Sequence, residues 1–263
     1  ILSIPNRAFP STRSERSLTF SADGERVVLN STRTGFMELY WSEKETPTSL
    51  KKISQNGNES GLPWFALSHT GDSIICVFTD QLILMDRMGS QLQKIAATKG
   101  RIISPIWSTQ NANRIYFTSN ESGKFELYEY DLKSKKRKKI ETNGAYRVFA
   151  KLEYGQEVLY FSKFKSRGIW KLNTHGNATE LVLPESAMNG FINWYPAHRG
   201  IYFIRWEAGK NVLYFYDYQN QSYTTLLQLG NLLSGFPSLQ LSPNEKELFL
   251  TKTEGVDADI VLE

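Results

Sequence analysis

Three histidines, one cysteine and a few acidic turns are the residues of this 263-residue chain best suited to covalent or metal chemistry, and their spacing does not gather them. His69, His175 and His198 fall in separate predicted turns, and none has a second ligand at the short spacing a zinc site uses. Cys76 lies in Ser73-Ile74-Ile75-Cys76-Val77-Phe78, where β-branched neighbours fit a small core residue better than an activated thiolate. A lone cysteine permits no internal disulfide, so its redox compartment is not legible. There is no Gly-x-Ser-x-Gly elbow, and a serine hydrolase would also need a histidine and an acid converging on the serine. Asp23-Gly24-Glu25 is a single acidic turn, short of the spaced oxygens of a calcium loop. The expectation is a chain without catalytic residues, resident metal or cofactor, and not an enzyme.

Charge and aromatic residues offer more. The net charge is +4, but Lys133, Lys135, Lys136, Arg137, Lys138 and Lys139 carry six positive charges, leaving −2 over the rest. A general affinity for nucleic acid is therefore not expected. The basic run reads as a solvated turn between two strands. The 40% hydrophobic and 13% aromatic fractions supply a sizeable core, and no run of about 18 apolar residues spans a membrane. The chain begins at Ile1 without an initiator methionine or signal peptide, as an excised piece of a longer protein would.

The elements that must position these residues repeat. The unit is an apolar strand, a Ser followed by a Gly/Asn/Asp turn, a second apolar strand, a polar loop, an aromatic strand and a short last strand. Leu18-Thr19-Phe20-Ser21-Ala22-Asp23-Gly24 begins one copy, and Leu239-Gln240-Leu241-Ser242-Pro243-Asn244 begins another. Turn centres near 24, 71, 112, 155, 200 and 244 are about 41–47 residues apart, the period of four-stranded propeller blades. Helical periodicity is absent. The prediction is one all-β domain over 1–263, a six-bladed β-propeller of four-stranded antiparallel blades. Approximate blades are 16–54, 62–97, 102–141, 145–183, 189–229 and 235–263 plus 1–5. The last copy holds three strands, so Ile1-Leu2-Ser3-Ile4 is expected to supply its outer strand beside Asp259–Leu262 and close the ring.

Phe20-Ser21-Ala22-Asp23-Gly24-Glu25-Arg26-Val27 resembles the F-S-P-D-G-x-x-I/V core of PD40 repeats in TolB-like, WD40-like propellers. Thr118-Ser119-Asn120-Glu121-Ser122-Gly123-Lys124-Phe125-Glu126-Leu127-Tyr128 resembles the second half of that repeat. The order Gly168-Ile169-Trp170-Lys171-Leu172, Asn193-Trp194, Tyr214-Phe215-Tyr216-Asp217 and Leu241-Ser242-Pro243-Asn244 is similar to the C-terminal propeller of CadC/ToxR-like winged-helix regulators. That resemblance implies a periplasmic sensing domain, joined to the membrane and to DNA only through upstream segments. The alternatives are a stand-alone TolB-like periplasmic scaffold, a propeller hydrolase or lyase, or a cytoplasmic setting.

In propellers the loops between blades, and those between second and third strands, share one face of the disc. Arg16, Arg33, Trp64, Arg101, Arg147, Lys163 and Trp206 are predicted on it, with Arg13, Arg167 and Arg205 nearby. A basic mouth edged with aromatics would bind a protein partner or a small anionic ligand. Trp107 and Trp194 occupy equivalent strand positions and are expected in the core.

Overall fold

The computed structural model of the chain describes residues 6–9, 15–43, 49–54, 64–78, 80–174, 176, 178–184, 188, 190–229, 237–254 and 257–262. All regular structure among them is β-strand, in six four-stranded antiparallel sheets. Five sheets each take four consecutive strands. They are β2 (Glu15–Phe20), β3 (Arg26–Ser31), β4 (Glu38–Glu43) and β5 (Lys51–Lys52); then β6 (Phe65–Leu67), β7 (Ser73–Phe78), β8 (Gln81–Asp86) and β9 (Gln91–Ala97). Next come β10 (Ile102–Trp107), β11 (Arg114–Ser119), β12 (Glu126–Asp131) and β13 (Lys136–Ile140), followed by β14 (Val148–Glu153), β15 (Gln156–Phe161), β16 (Ile169–Asn173) and β17 (Thr179–Leu183). The fifth holds β18 (Trp194–Pro196), β19 (Gly200–Glu207), β20 (Lys210–Asp217) and β21 (Ser222–Leu229).

The sixth sheet is composite. It runs β1 (Asn6–Phe9), β24 (Asp257–Leu262), β23 (Leu248–Glu254), β22 (Leu239–Leu241), with Asn6 opposite Leu262 and Arg7 opposite Val261. The N-terminal strand therefore pairs beside the C-terminal one, but it is Asn6–Phe9. The expected Ile1–Ile4 segment lies outside the described residues. Apolarity is no guide to the outer strands here, which range from Lys-Lys in β5 and Lys-Arg-Lys-Lys-Ile in β13 to Thr-Glu-Leu-Val-Leu in β17.

The chain divides into two compact units. One comprises Ile1–Pro63, Arg87–Gly89 and Ile192–Glu263, and the other Trp64–Asp86 and Ser90–Phe191. In the first, Leu239, Leu241, Leu248 and Leu250 of the composite sheet pack against Ala197, Ile204, Leu213 and Leu229. Phe249 of the same sheet joins Leu18, Phe20, Val27, Leu29 and Tyr40. In the second, Tyr116 and Leu127 pack with Val148, Leu159, Phe161 and Leu172 of the following sheet. Apolar faces of neighbouring sheets thus cover one another, which no single sheet achieves alone. Trp107 and Trp194 are buried as expected, and the Trp107 indole N–H donates to the Ala66 carbonyl at 3.2 Å. Cys76 is buried too, and burial pushes its thiol up to about 12, away from nucleophilic chemistry at neutral pH.

The serine of the repeat has a structural job. The Arg26 N–H donates to Ser21 Oγ at 3.1 Å, the Ser73 N–H to Ser68 Oγ at 3.1 Å, and the Glu247 N–H to Ser242 Oγ at 3.0 Å. Each hydroxyl closes the turn between the first two strands of its sheet. Gly24 and Gly71 follow with φ of 78° and 74°, a conformation free of strain only for glycine. Glu245 holds the matching place at φ 57°, and its carboxylate accepts the His198 N–H of the neighbouring sheet at 2.8 and 2.9 Å.

Ser108, the fourth such serine, is tied to a buried carboxylate. Glu157 on β15 accepts Ser108 Oγ at 2.8 Å, Thr109 Oγ1 at 2.9 Å and the Tyr116 hydroxyl at 2.6 Å, and also the Thr109 N–H. It fastens its own sheet to the preceding one. Burial, then the bond to Glu157, pushes the Tyr116 phenol upward, so this hydroxyl stays a donor. First strands also bulge at Ser17 and Ser104, whose φ values are 40° and 50°. Ser104 Oγ accepts the Val148 N–H of the next sheet at 2.9 Å.

The basic run is not simply a turn. Lys133 and Lys135 stand in the β12–β13 turn, whereas Lys136, Arg137, Lys138 and Lys139 form the outer strand β13. A charged outer strand serves where an apolar one would invite pairing, so the run reads as an edge.

Replacing Glu157 by Ala should strand the Ser108 and Tyr116 hydroxyls and lower stability by on the order of 3 kcal/mol, measured by denaturant unfolding; Gln, which keeps an acceptor, should cost less. Asp23, Asp131 and Asp217 are held below the usual carboxylate value, first by Ser21, the Ser134 N–H and the Asn220 N–H respectively. Their contribution is present above the unfolded value of about 3.9 and is lost as pH falls through the lower folded values. The melting temperature should accordingly drop below about pH 4, and the D23N/D131N/D217N chain, which keeps acceptors but loses the titration, should drop less steeply.

Candidate functional site

Three exposed aromatics stand in or near the loop after the second strand of a sheet. Phe36 follows β3 and is 50% exposed; Phe164 follows β15 and is 45% exposed; Trp206, near the end of β19, is 53% exposed. A basic residue stands close by in sequence each time: Arg33, then Lys163 and Lys165, then Arg205.

In the second unit Phe164 rests on a group of rings drawn from several loops. Tyr146, just before β14, is its centre. Phe164 stacks on Tyr146 at 5.2 Å, and Phe125 and Phe191 meet it edge-on at 4.9 and 5.0 Å. Trp64 approaches edge-on at 6.4 Å. Phe164 also contacts Phe125 at 5.4 Å and Phe191 at 5.5 Å. Tilted and edge-on pairs of this kind each add to simple area burial. Trp64, Phe125 and Tyr146 are buried, so the group is a fixed base with one ring presented to solvent. Burial raises the Tyr146 phenol, while the Arg101 charge acts on it in the opposite sense.

One cation covers the presented ring. The Lys165 ammonium lies over Phe164 at 5.5 Å, and that of Lys163 over Trp170 at 4.4 Å. Arg101 and Arg167 are exposed. Arg101 is held by its backbone, whose N–H donates to Asn120 Oδ1 at 2.6 Å. Arg147 belongs elsewhere. It is 5% exposed and lies over Phe149 at 4.6 Å, packed inside rather than on a rim. Of the expected residues, Trp64 and Arg101 thus come to the Tyr146 group, Lys163 stands in the same loop as Phe164, and Arg147 is structural.

In the first unit Arg33 is bound to buried Glu15 at 2.7 Å and lies over Tyr40 at 5.0 Å. Ser31 Oγ donates to the same Glu15 oxygen at 2.9 Å. Arg33 therefore neutralises an interior carboxylate rather than waiting for a ligand. Arg16, on β2, is half-buried, and burial lowers its guanidinium's proton affinity. Arg205 pairs with Glu207 and lies over Tyr214 at 5.0 Å, while Trp206 beside it is exposed. Arg13 lies outside the described residues. Sequence reasoning missed Phe125, Tyr146, Phe164 and Phe191. Phe125 and Phe36 stand one and two places before the Glu-Leu-Tyr of their repeats, a periodic signal that was available.

Among the described residues no group of three or more His, Cys, Asp or Glu is placed to hold a metal ion, and no helix is long and apolar enough to cross a membrane.

The sequence matches no described protein family and no curated protein. Solved structures are similar. Putative TolB from Agrobacterium tumefaciens gives a TM-score of 0.67 at 15% identity, over 96% of this chain and 91% of that one. TolB from Acinetobacter baumannii gives 0.66 at 14%, over 84% of this chain and 56% of that one, so this chain spans little more than half of that protein. A chain of the nidogen/laminin complex gives 0.64 at 10%, covering 82% and 80%. Oligogalacturonate lyase from Vibrio parahaemolyticus gives 0.62 at 10%, covering 98% and 92%. Identities this low carry the fold and not the activity.

The fold is an all-β propeller. Its blades are four-stranded antiparallel sheets of the TolB-like kind. Five are contiguous in sequence, and the composite sheet joins β1 to the three C-terminal strands.

Replacing Arg33 or Arg147 by Ala should lower the melting temperature, Arg33 by taking a charged partner from the buried Glu15 carboxylate, at a cost of about 3 kcal/mol. Arg101→Ala should leave it unchanged within about 0.5 kcal/mol. Thermal melts of the three variants check this.

Proposed function

We propose that this propeller is a protein-binding domain, and that a partner docks on the loop surface around Phe164. The observation that carries the reading is the geometry of that surface. One exposed ring stands on a buried aromatic base, with the Lys165 ammonium over it, Lys163 in the same loop over Trp170, and Arg101 acting on the Tyr146 at its centre. Rigid aromatic anchors with neighbouring cations are what the centres of protein interfaces select, since little conformational freedom is lost on docking. A basic surround favours an acidic partner face and speeds encounter. The nidogen/laminin neighbour is a propeller-containing protein solved with a partner, which supports binding as a use of the fold.

Two settings fit the proposal. One is a TolB-like periplasmic scaffold, which the TolB neighbours favour. The other is the sensing domain of a CadC/ToxR-like membrane-bound regulator, which rests on the resemblance of the C-terminal half. The upstream reading frame separates them: a signal peptide marks the first, a winged helix and one apolar helix the second. That the six sheets form one six-bladed ring, seamed where β1 meets β24, is part of the same proposal.

The enzymatic reading is drawn from the lyase neighbours, one of which is described with manganese. It is tested by offering oligogalacturonate and manganese to the purified chain and following the unsaturated product; steady turnover would overturn the proposal. A photoreactive phenylalanine at position 164 should crosslink a protein partner in the native host, and one at Tyr154, in the β14–β15 turn, should not. Phe164→Ala with Lys165→Ala should abolish that association, and Lys165→Glu, which leaves the rings in place, should weaken it with an unchanged melting temperature. Equal crosslinking from both positions would refute docking on this surface.

A further inference from the structure

Each four-stranded sheet ends on an outer strand, and β13 is the outer strand of its sheet among the described residues. Its composition sets it apart. The other outer strands are β1, with one arginine, a two-residue β5 of two lysines, and β9, β17 and β21, which between the three of them carry one lysine and no arginine. In β13 four consecutive residues are cationic, and all four are exposed.

Side chains alternate across a strand, so these cations divide between two faces. On one face the sheet neutralises them. Arg137 reaches Glu121 at 3.1 Å and covers the Tyr128 ring at 5.1 Å. Lys139 reaches Glu126 at 3.6 Å and Glu141 at 3.4 Å. The other face holds Lys136 and Lys138, and Lys133 and Lys135 continue the charge into the turn. Lys136 stands across from Asp131, and Lys138 from Glu129. Both carboxylates are already engaged: Asp131 Oδ1 accepts the Ser134 N–H at 2.6 Å, and Glu129 is held by Arg114 at 3.6 Å. Among the described residues none of these four lysines forms an ion pair.

Two unsatisfied features therefore coincide on β13: a row of backbone groups along its outer edge and a set of cations on one face. We propose that β13 is a docking edge for an acidic, extended polypeptide segment, which adds as a fifth strand and sets its carboxylates against Lys136 and Lys138. A polypeptide is the polyanion whose own N–H and C=O groups complement an open sheet edge. Lys136 and Lys138 are two residues apart, about 7 Å along a strand, the spacing of acidic side chains at alternate positions of a paired strand. Anionic lipid or polysaccharide would answer the charge and leave the edge unpaired. This edge is separate from the Phe164 surface and does not depend on it.

The test uses the whole chain and a fluorescein-labelled nine-residue peptide alternating Glu and Thr, read by anisotropy at low and physiological salt. A second peptide of the same sequence carries N-methyl groups on its pairing amides. The wild-type chain should bind the first peptide, more weakly as salt rises. The N-methylated peptide should bind at least tenfold more weakly. K136E/K138E should lose at least tenfold and K136Q/K138Q an intermediate amount, both with an unchanged melting temperature, and F164A should bind like wild type. No binding, variants that bind like wild type, or an N-methylated peptide or sulfated polysaccharide that binds as tightly as the first peptide would each overturn the proposal. Loss of binding in F164A would place the peptide on the loop surface and overturn it as well.

Discussion

A serine hydroxyl set at the end of a first strand governs how these sheets are built. The strand must reverse into the next within a few residues, and the reversed chain leaves an N–H pointing inward with no strand to receive it. Ser21, Ser68 and Ser242 take that N–H from Arg26, Ser73 and Glu247. Because the hydroxyl also donates, the same atom can reach outside its own turn, as Ser108 does to Glu157 on the following sheet. Local turn closure and sheet-to-sheet attachment thus share one residue type. A buried carboxylate is tolerated there because several donors face it, and its removal leaves those donors stranded.

The loop surface is stiffened separately, by its packed rings. Loops are ordinarily the mobile part of a β fold. Here Tyr146 is fixed by rings above and to its sides, and its carbonyl accepts the Thr118 hydroxyl at 2.8 Å. Phe164 is consequently presented rather than loose. The same arrangement explains why several cations expected on that surface do something else. An interior Glu15 requires Arg33, and an aromatic face accommodates Arg147. Arginine suits both tasks, being always charged and flat.

Much of the architecture was legible in the sequence because it depends on backbone turns and strand alternation, which repeat every forty-odd residues. Ser21-Ala22-Asp23-Gly24 and Ser242-Pro243-Asn244 announced the turns by their residue types. Ring contacts were harder to see, since Trp64, Phe125, Tyr146, Phe164 and Phe191 are spread over 128 positions and meet only through the stacking of sheets. Glu157 was hidden for another reason: nothing in Gln156-Glu157-Val158 separates a buried acceptor from a solvated one. The N-terminal strand was misplaced by a few residues because a paired outer strand needs a backbone in register rather than apolar side chains.

The central claim is that buried polar pins hold the turns between the first and second strands of these sheets. Amide hydrogen exchange on the native chain tests it most directly. The account predicts that the Arg26, Ser73, Thr109 and Glu247 amides, all in or beside turns, exchange as slowly as the amides of the strands they join. Exchange of these amides at the rate of open loops, with the strands still protected, would contradict it.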